Sequence, residues 1–190
     1  MADLAAARLN MVESQVRTAD VTAVRIHDAL RAAPRESLLP ADKRHLAYAD
    51  IEAEYAPGRW LLKPRDVAKL LQAIRPMPGE TALAIAAPYA AMVLEAMGIA
   101  VTRLDNAELT PATSDGQFDM VISEGAVGRA PAAWKAALAQ GGRLAVIERD
   151  GPVGKACLYI RAEDGVGRRD LFDATPPVIP GFATQHGFAF

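Results

Sequence analysis

The chain has 190 residues, 51% of them apolar, and a formal charge of −2. That is enough apolar material for a substantial core in one domain, or one domain with an extension. The near-neutral charge and scattered Lys and Arg exclude an overall basic field for nucleic acid, and a single cysteine, Cys157, excludes an intramolecular disulfide and a CxxC metal or redox pair, which fits a reducing cytoplasm.

The start, Met1-Ala2-Asp3-Leu4, has neither the basic beginning nor the apolar stretch of a signal peptide, so export is not expected and a cytoplasmic location is. Ala5, Leu9, Val12 and Val16 recur at steps of three and four and predict a first amphipathic helix, with Arg8, Glu13 and Arg17 facing solvent. Thr22 is placed to cap a second helix that turns Ile26, Ala29, Leu30 and Ala33 inward and stops at Pro34. A third opens on Pro64, carries Val67, Leu70, Leu71 and Ile74 on one face, and ends at Pro76. Residues 1–75 therefore read as a helical extension, and residues 76–190 as an α/β unit joined to it.

From Pro76 onward short apolar runs alternate with amphipathic segments, the pattern of βαβ units and a parallel sheet. Strands are predicted over residues 81–86, 99–104, 118–123 and 143–148, with helices over 89–97, ended by Gly98, and 132–138, closed by Gly141-Gly142. The apolar content of residues 82–101 is interrupted by Pro88, Glu95 and Gly98, so strand, turn and helix are expected there and not a membrane span. Residues 156–161 and 168–172, separated by Glu163-Asp164-Gly165, predict a hairpin added antiparallel to the sheet edge. A last strand is expected over 182–190, with Phe188 and Phe190 covering core. There is no internal repeat.

His27, His45 and His186 are far apart and form no HxxxH or HExxH pattern, so no metal site is expected and the three read as surface or capping residues. Ser14 and Ser123 have no visible base, so no nucleophilic triad is indicated and the catalytic residues stay unassigned. Glu124 and Glu148 close strands at the end of the sheet where α/β sites gather. Each is either a functional acid or a carboxylate that caps the next helix or faces water.

Several segments, in this order and spacing, resemble the protein-L-isoaspartate O-methyltransferase family, in particular its short bacterial members. They are Met11-Val12-Glu13-Ser14-Gln15-Val16-Arg17, Pro34-Arg35-Glu36 with Leu39-Pro40, Ala47-Tyr48-Ala49-Asp50, Phe118-Asp119, Gly141-Gly142-Arg143-Leu144, and Leu171-Phe172-Asp173 with Pro180-Gly181-Phe182. The resemblance spans nearly the whole chain and implies a Rossmann-like class I methyltransferase fold, S-adenosylmethionine as cofactor, and a protein or peptide carboxylate as acceptor. The cofactor is then expected beyond the carboxyl ends of the strands, at the switch point of the sheet.

Against that family pattern the chain departs at several places. The loop after the first strand, glycine-rich and preceded by an acidic residue in the family, reads Ala84-Ile85-Ala86-Ala87-Pro88-Tyr89 here. A Cβ blocks positive φ and close approach of backbone amides to a ligand, and proline removes one amide hydrogen. Asp105 retains the position that would hold ribose, although an Asp-Asn turn explains it equally. Only residues 106–117 stand where the family spends a helix and a strand, too few for both, so the sheet is expected to lose a strand.

On the acceptor side, Leu62 replaces a Ser or Thr of the family pattern, leaving Arg59, Lys63 and Trp60 as the residues able to hold or wall a carboxylate, against a reading as solvated cations beside a core tryptophan. If the cofactor binds, Ala86, Ala87, Tyr89, Asp105 and Glu124 are its expected contacts. Two readings follow: a pseudoenzyme with a degraded cofactor site, kept as a binding or assembly module with a protein partner or a second copy, or an active carboxyl O-methyltransferase. The substitutions favour the first.

Overall fold

The computed structural model describes residues 3–106, 108–111 and 116–184. Helix α1 (Leu4–Met11) begins where Asp3 accepts hydrogen bonds from the Ala5 and Ala6 amides. It runs into a π turn (Val12–Val16) and a 3₁₀ turn (Arg17–Ala19) that stops at Asp20 in the left-handed region. The wider turn shifts the buried seam. Leu4, Ala7 and Met11 face the core in α1 and Val12 and Val16 after it, whereas Ala5 and Leu9, expected on the stripe, are exposed.

Helix α2 (Val24–Ala32) buries Ile26, Ala29 and Leu30 as expected, but Thr22 does not cap it. The Oε1 atom of Gln72 accepts from the Thr22 and Ala23 amides instead, at 2.7 and 3.1 Å. His27, read as a surface or capping residue, is buried, its Nε2 bonded to the Val21 carbonyl at 2.8 Å. Helix α3 (Pro64–Ile74) buries Val67, Leu70, Leu71 and Ile74 and ends at Arg75, whose φ of 49° is left-handed. Between α2 and α3 lies a hairpin that the sequence pattern does not announce, β1 (Ala53–Ala56) and β2 (Arg59–Leu61), turning at Pro57-Gly58.

Among the described residues the remaining strands form one six-stranded sheet: β3 (Thr81–Ile85), β4 (Ala100–Leu104), β5 (Phe118–Val127), β6 (Leu138–Glu148), β7 (Gly154–Ala162) and β8 (Gly165–Ala174). Their order is β4-β3-β5-β6-β7-β8; the first four run parallel, and β7 and β8 add antiparallel at one edge. Helices α4 (Pro88–Ala96) and α5 (Ala132–Ala136) are the crossovers after β3 and β5. Helix α5 is shorter than its pattern predicts because the amides of Gly116, Gln117 and Phe118 take the Ala136 and Ala137 carbonyls. Gly141 and Gly142 consequently lie inside β6.

Two apolar layers sandwich the sheet. One packs α1 to α4 and the turns between them on one face; the other gathers Trp134, Leu109, Phe118 and Ile179 on the opposite face. Among the described residues of 106–117 there is neither helix nor strand, and none pairs with the outer side of β4. Leu109 is pinned instead: its amide donates to Asn106 Oδ1, and its carbonyl accepts from Trp134 Nε1. Val178 bridges Ala126, while the strand expected to reach Phe190 falls largely on residues 185–190, outside the described ones, as does His186. No helix among the described residues is long and apolar enough to cross a membrane.

Candidate functional site

The carboxyl ends of β3, β4 and β5 meet at the start of α4. Here the chain leaves β3 through Ala86, whose φ of 45° is left-handed, a conformation that costs a residue with a Cβ about 1–2 kcal/mol. The turn is held by the Ala86 amide on the Leu104 carbonyl at 2.9 Å. Ala86 and Ala87 are each 1% exposed and their methyl groups belong to the two cores. Pro88 then opens α4, and Ala87 at the cap position has no side chain to offer the free amides.

A carboxylate from another strand supplies what that position lacks. Between Ile122 and Ala126 the β5–β6 register shifts, with Gly125 at φ 101°, and the bulge turns Glu124 toward α4. Its Oε1 accepts from the Tyr89 and Ala90 amides, both at 2.8 Å, and its Oε2 from the Leu62 amide at 3.0 Å. The residue is 2% exposed. Burial pushes its carboxyl above the usual range, while Arg35 and the three amides pull the other way. All three partners are donors, the arrangement a carboxylate needs.

Arg35, fully buried, completes this knot. Its Nε donates to the Ala47 carbonyl and its Nη2 to the Leu62 carbonyl, at 2.8 and 2.7 Å. Its guanidinium lies over the Tyr89 ring, 4.7 Å from the centroid. Leu62 is thus held through both of its backbone polar groups, by Glu124 at its N–H and Arg35 at its carbonyl, and its side chain is buried. Burial drives the Tyr89 phenol well above its ordinary range.

Asp105, by contrast, is exposed, with the Tyr55 hydroxyl 3.5 Å from its Oδ1. Arg59 reaches the Asn106 carbonyl at 3.2 Å, so β1 and β2 lean over the end of β4. Trp60 is half-buried opposite Glu54 in that hairpin. Lys63 pairs with Glu52 at 3.8 Å, away from Arg59. Ala86, Ala87, Tyr89 and Glu124 therefore converge, with Asp105 and Arg59 beside them, while Lys63 is directed elsewhere.

Glu148 is held by the structure around it. It accepts from the Ala130 amide at 2.8 Å and the Tyr159 hydroxyl at 2.6 Å, and it pairs with Arg168. Burial raises its pKa, but those partners outweigh it and leave the carboxyl below the usual range. Ser123 is buried and its Oγ has no hydrogen-bond partner among the described residues; Ser14 bonds the Asn10 carbonyl. Sequence reasoning missed Arg35 and Tyr55. Pro34-Arg35-Glu36 was visible as a motif, but nothing in it announces a buried guanidinium.

No family model matches the chain. Among curated proteins it is 30% identical to the protein-L-isoaspartate O-methyltransferase of Methylorubrum extorquens (strain PA1), an alignment covering 96% of this chain and 92% of that protein. It is 31% identical to the enzyme of the same name from Methylorubrum populi, over 90% of this chain and 92% of that protein. Among solved structures, a chain described as a protein-L-isoaspartate O-methyltransferase from Plasmodium falciparum, in complex with S-adenosyl-L-homocysteine, superposes with a TM-score of 0.69 at 14% identity, covering 90% of this chain and 97% of that one. Another protein-L-isoaspartate O-methyltransferase gives 0.65 at 15% identity, over 94% of this chain and 66% of that one. At those identities the structural likeness concerns the fold, a Rossmann-like methyltransferase sheet with antiparallel terminal strands. Near-full-length identity to the curated proteins carries the further step: the chain belongs to the protein-L-isoaspartate O-methyltransferase family.

Proposed function

We propose that this family member has given up tight cofactor binding and serves as a non-catalytic binding or assembly module, its cleft filled by its own residues. The observation that carries this reading is the Glu124 carboxylate bonded to the first amides of α4. A helix start is an anion site by virtue of its free amides and dipole, and here the anion is intramolecular. The burial of Ala86, Ala87 and Tyr89 supports the reading further, because it leaves little backbone face for a ligand to approach, although Ala86 does adopt the left-handed turn that its Cβ was expected to block. The residues present thus fit S-adenosylmethionine poorly.

One observation favours the second reading, an S-adenosylmethionine-dependent methyltransferase acting on isoaspartyl or other carboxylates. Asp105 remains exposed at the end of β4, with Arg59 nearby. Calorimetric titration of the purified protein with S-adenosylmethionine and S-adenosylhomocysteine separates the two. The module reading expects no saturable heat with either; one-to-one binding with a Kd below about 10 μM overturns it.

A further inference from the structure

Away from the cleft, a groove of about 580 Å³ opens between the start of α2, the end of α3 and the turn after α4. Its apolar surface includes Val24, 65% exposed, Met77, 56% exposed, and Met97. Among the described residues, three arginines, Arg25, Arg75 and Arg169, line it, and no acidic residue does. Elsewhere on the molecule arginines find carboxylates, such as Arg31 with Glu13 and Arg103 with Glu95. Among the described residues these three form no ion pair; Arg25 makes a long bond to the Pro76 carbonyl, 3.4 Å.

Gln72 takes the Thr22 and Ala23 amides just before α2, and Arg143 takes the Ile74 and Arg75 carbonyls at the end of α3. What the groove still offers is therefore side-chain chemistry: unpaired guanidinium forks, which match carboxylates, around methionines, which adapt to irregular apolar shapes. In a chain of net charge −2, such a local cationic patch also steers an oppositely charged partner to one face.

We propose that this groove docks an acidic amphipathic peptide segment of a partner protein, its carboxylates on Arg25, Arg75 and Arg169 and an apolar side chain against Met77 and Met97. The inference goes beyond the reading of the cleft and does not depend on it. Neither a cofactor nor the Glu124 knot takes part.

Fluorescence anisotropy of the full chain with a labelled peptide of glutamates and leucines at helical spacing tests it, with glutamine and lysine analogues as controls. The expected result is saturable one-to-one binding of the acidic peptide, weaker by at least about tenfold for both analogues and for the Arg25→Glu/Arg169→Glu variant, whose melting temperature should match the parent. If that variant is unstable, Met77→Glu serves instead and should weaken binding similarly. Lack of saturation, equal affinity of the glutamine analogue, undiminished binding by a stable variant, or tighter binding of single-stranded RNA at the same arginines overturns the proposal.

Discussion

Replacing Glu124 by alanine tests whether its carboxylate is the anion that α4 requires. Three buried amides, those of Leu62, Tyr89 and Ala90, lose their acceptor at once, and each stranded donor costs about 1–3 kcal/mol. Arg35 simultaneously loses a nearby carboxylate that helps to hold its charge in the core, a smaller effect because the two make no direct ion pair. Because one carboxylate underlies both effects they do not add, and about 4 kcal/mol is the reasonable total. For a 190-residue protein that lowers the melting temperature by about 8–16 °C. Glu124→Gln keeps an oxygen for Tyr89 and Ala90 but turns an amide toward the Leu62 N–H, so about half the loss is expected. Scanning calorimetry at neutral pH, with urea unfolding as a check, reads both. A drop under about 3 °C for the alanine variant, or a glutamine variant worse than alanine, refutes the view that this contact secures the cleft.

Asp66, buried in the first turn of α3, has its carboxyl pushed up to about 6, chiefly by burial. A carboxyl raised in the folded state contributes stability that is full below the unfolded value near 3.8 and lost as pH climbs through about 6, roughly 3 kcal/mol in all. Asp66→Asn should therefore melt higher than the parent above pH 7 and show little advantage near pH 4, and a pH-independent difference would contradict this. Ala86→Gly is expected to leave stability within about 0.5 kcal/mol of the parent, since relief of the left-handed strain offsets the lost buried methyl. Ala84→Gly, inside β3, should cost about 1–2 kcal/mol, and equal losses in urea titrations would argue that the turn at Ala86 is unstrained.

Strand β3 and the central parts of β5 and β6 were legible because each is a short apolar run between punctuating residues, and β7 and β8 because Glu163-Asp164-Gly165 separates them, but β5, β6 and β8 run further than their patterns predict. Less local features were not legible. Hairpin β1–β2 has only three or four residues a side and mixes charged with apolar ones, and the shift from Ala5 and Leu9 to Leu4, Ala7 and Met11 depends on a π turn that has no compositional mark. At the site, the alanines of the β3–α4 loop were readable as departures and Glu124 as a strand-end acid. Its actual partners were hidden, because they follow from a bulge in β5 and from Leu62, 62 positions away in sequence. Arg35 was hidden for the same reason, its meaning lying entirely in what surrounds it.

Strand β4 borders the sheet with no described neighbour beyond it, so the outward amides and carbonyls of Ala100–Leu104 amount to a template onto which another extended chain could zip. Arg103, clasped by Glu95 from α4, sits within that row. A guanidinium there works as a gatekeeper, since an intruding strand must either bury it or pull it from its carboxylate. Loss of that ion pair, worth about 1 kcal/mol or less to folding, is therefore expected to show in aggregation assays before it shows in melting.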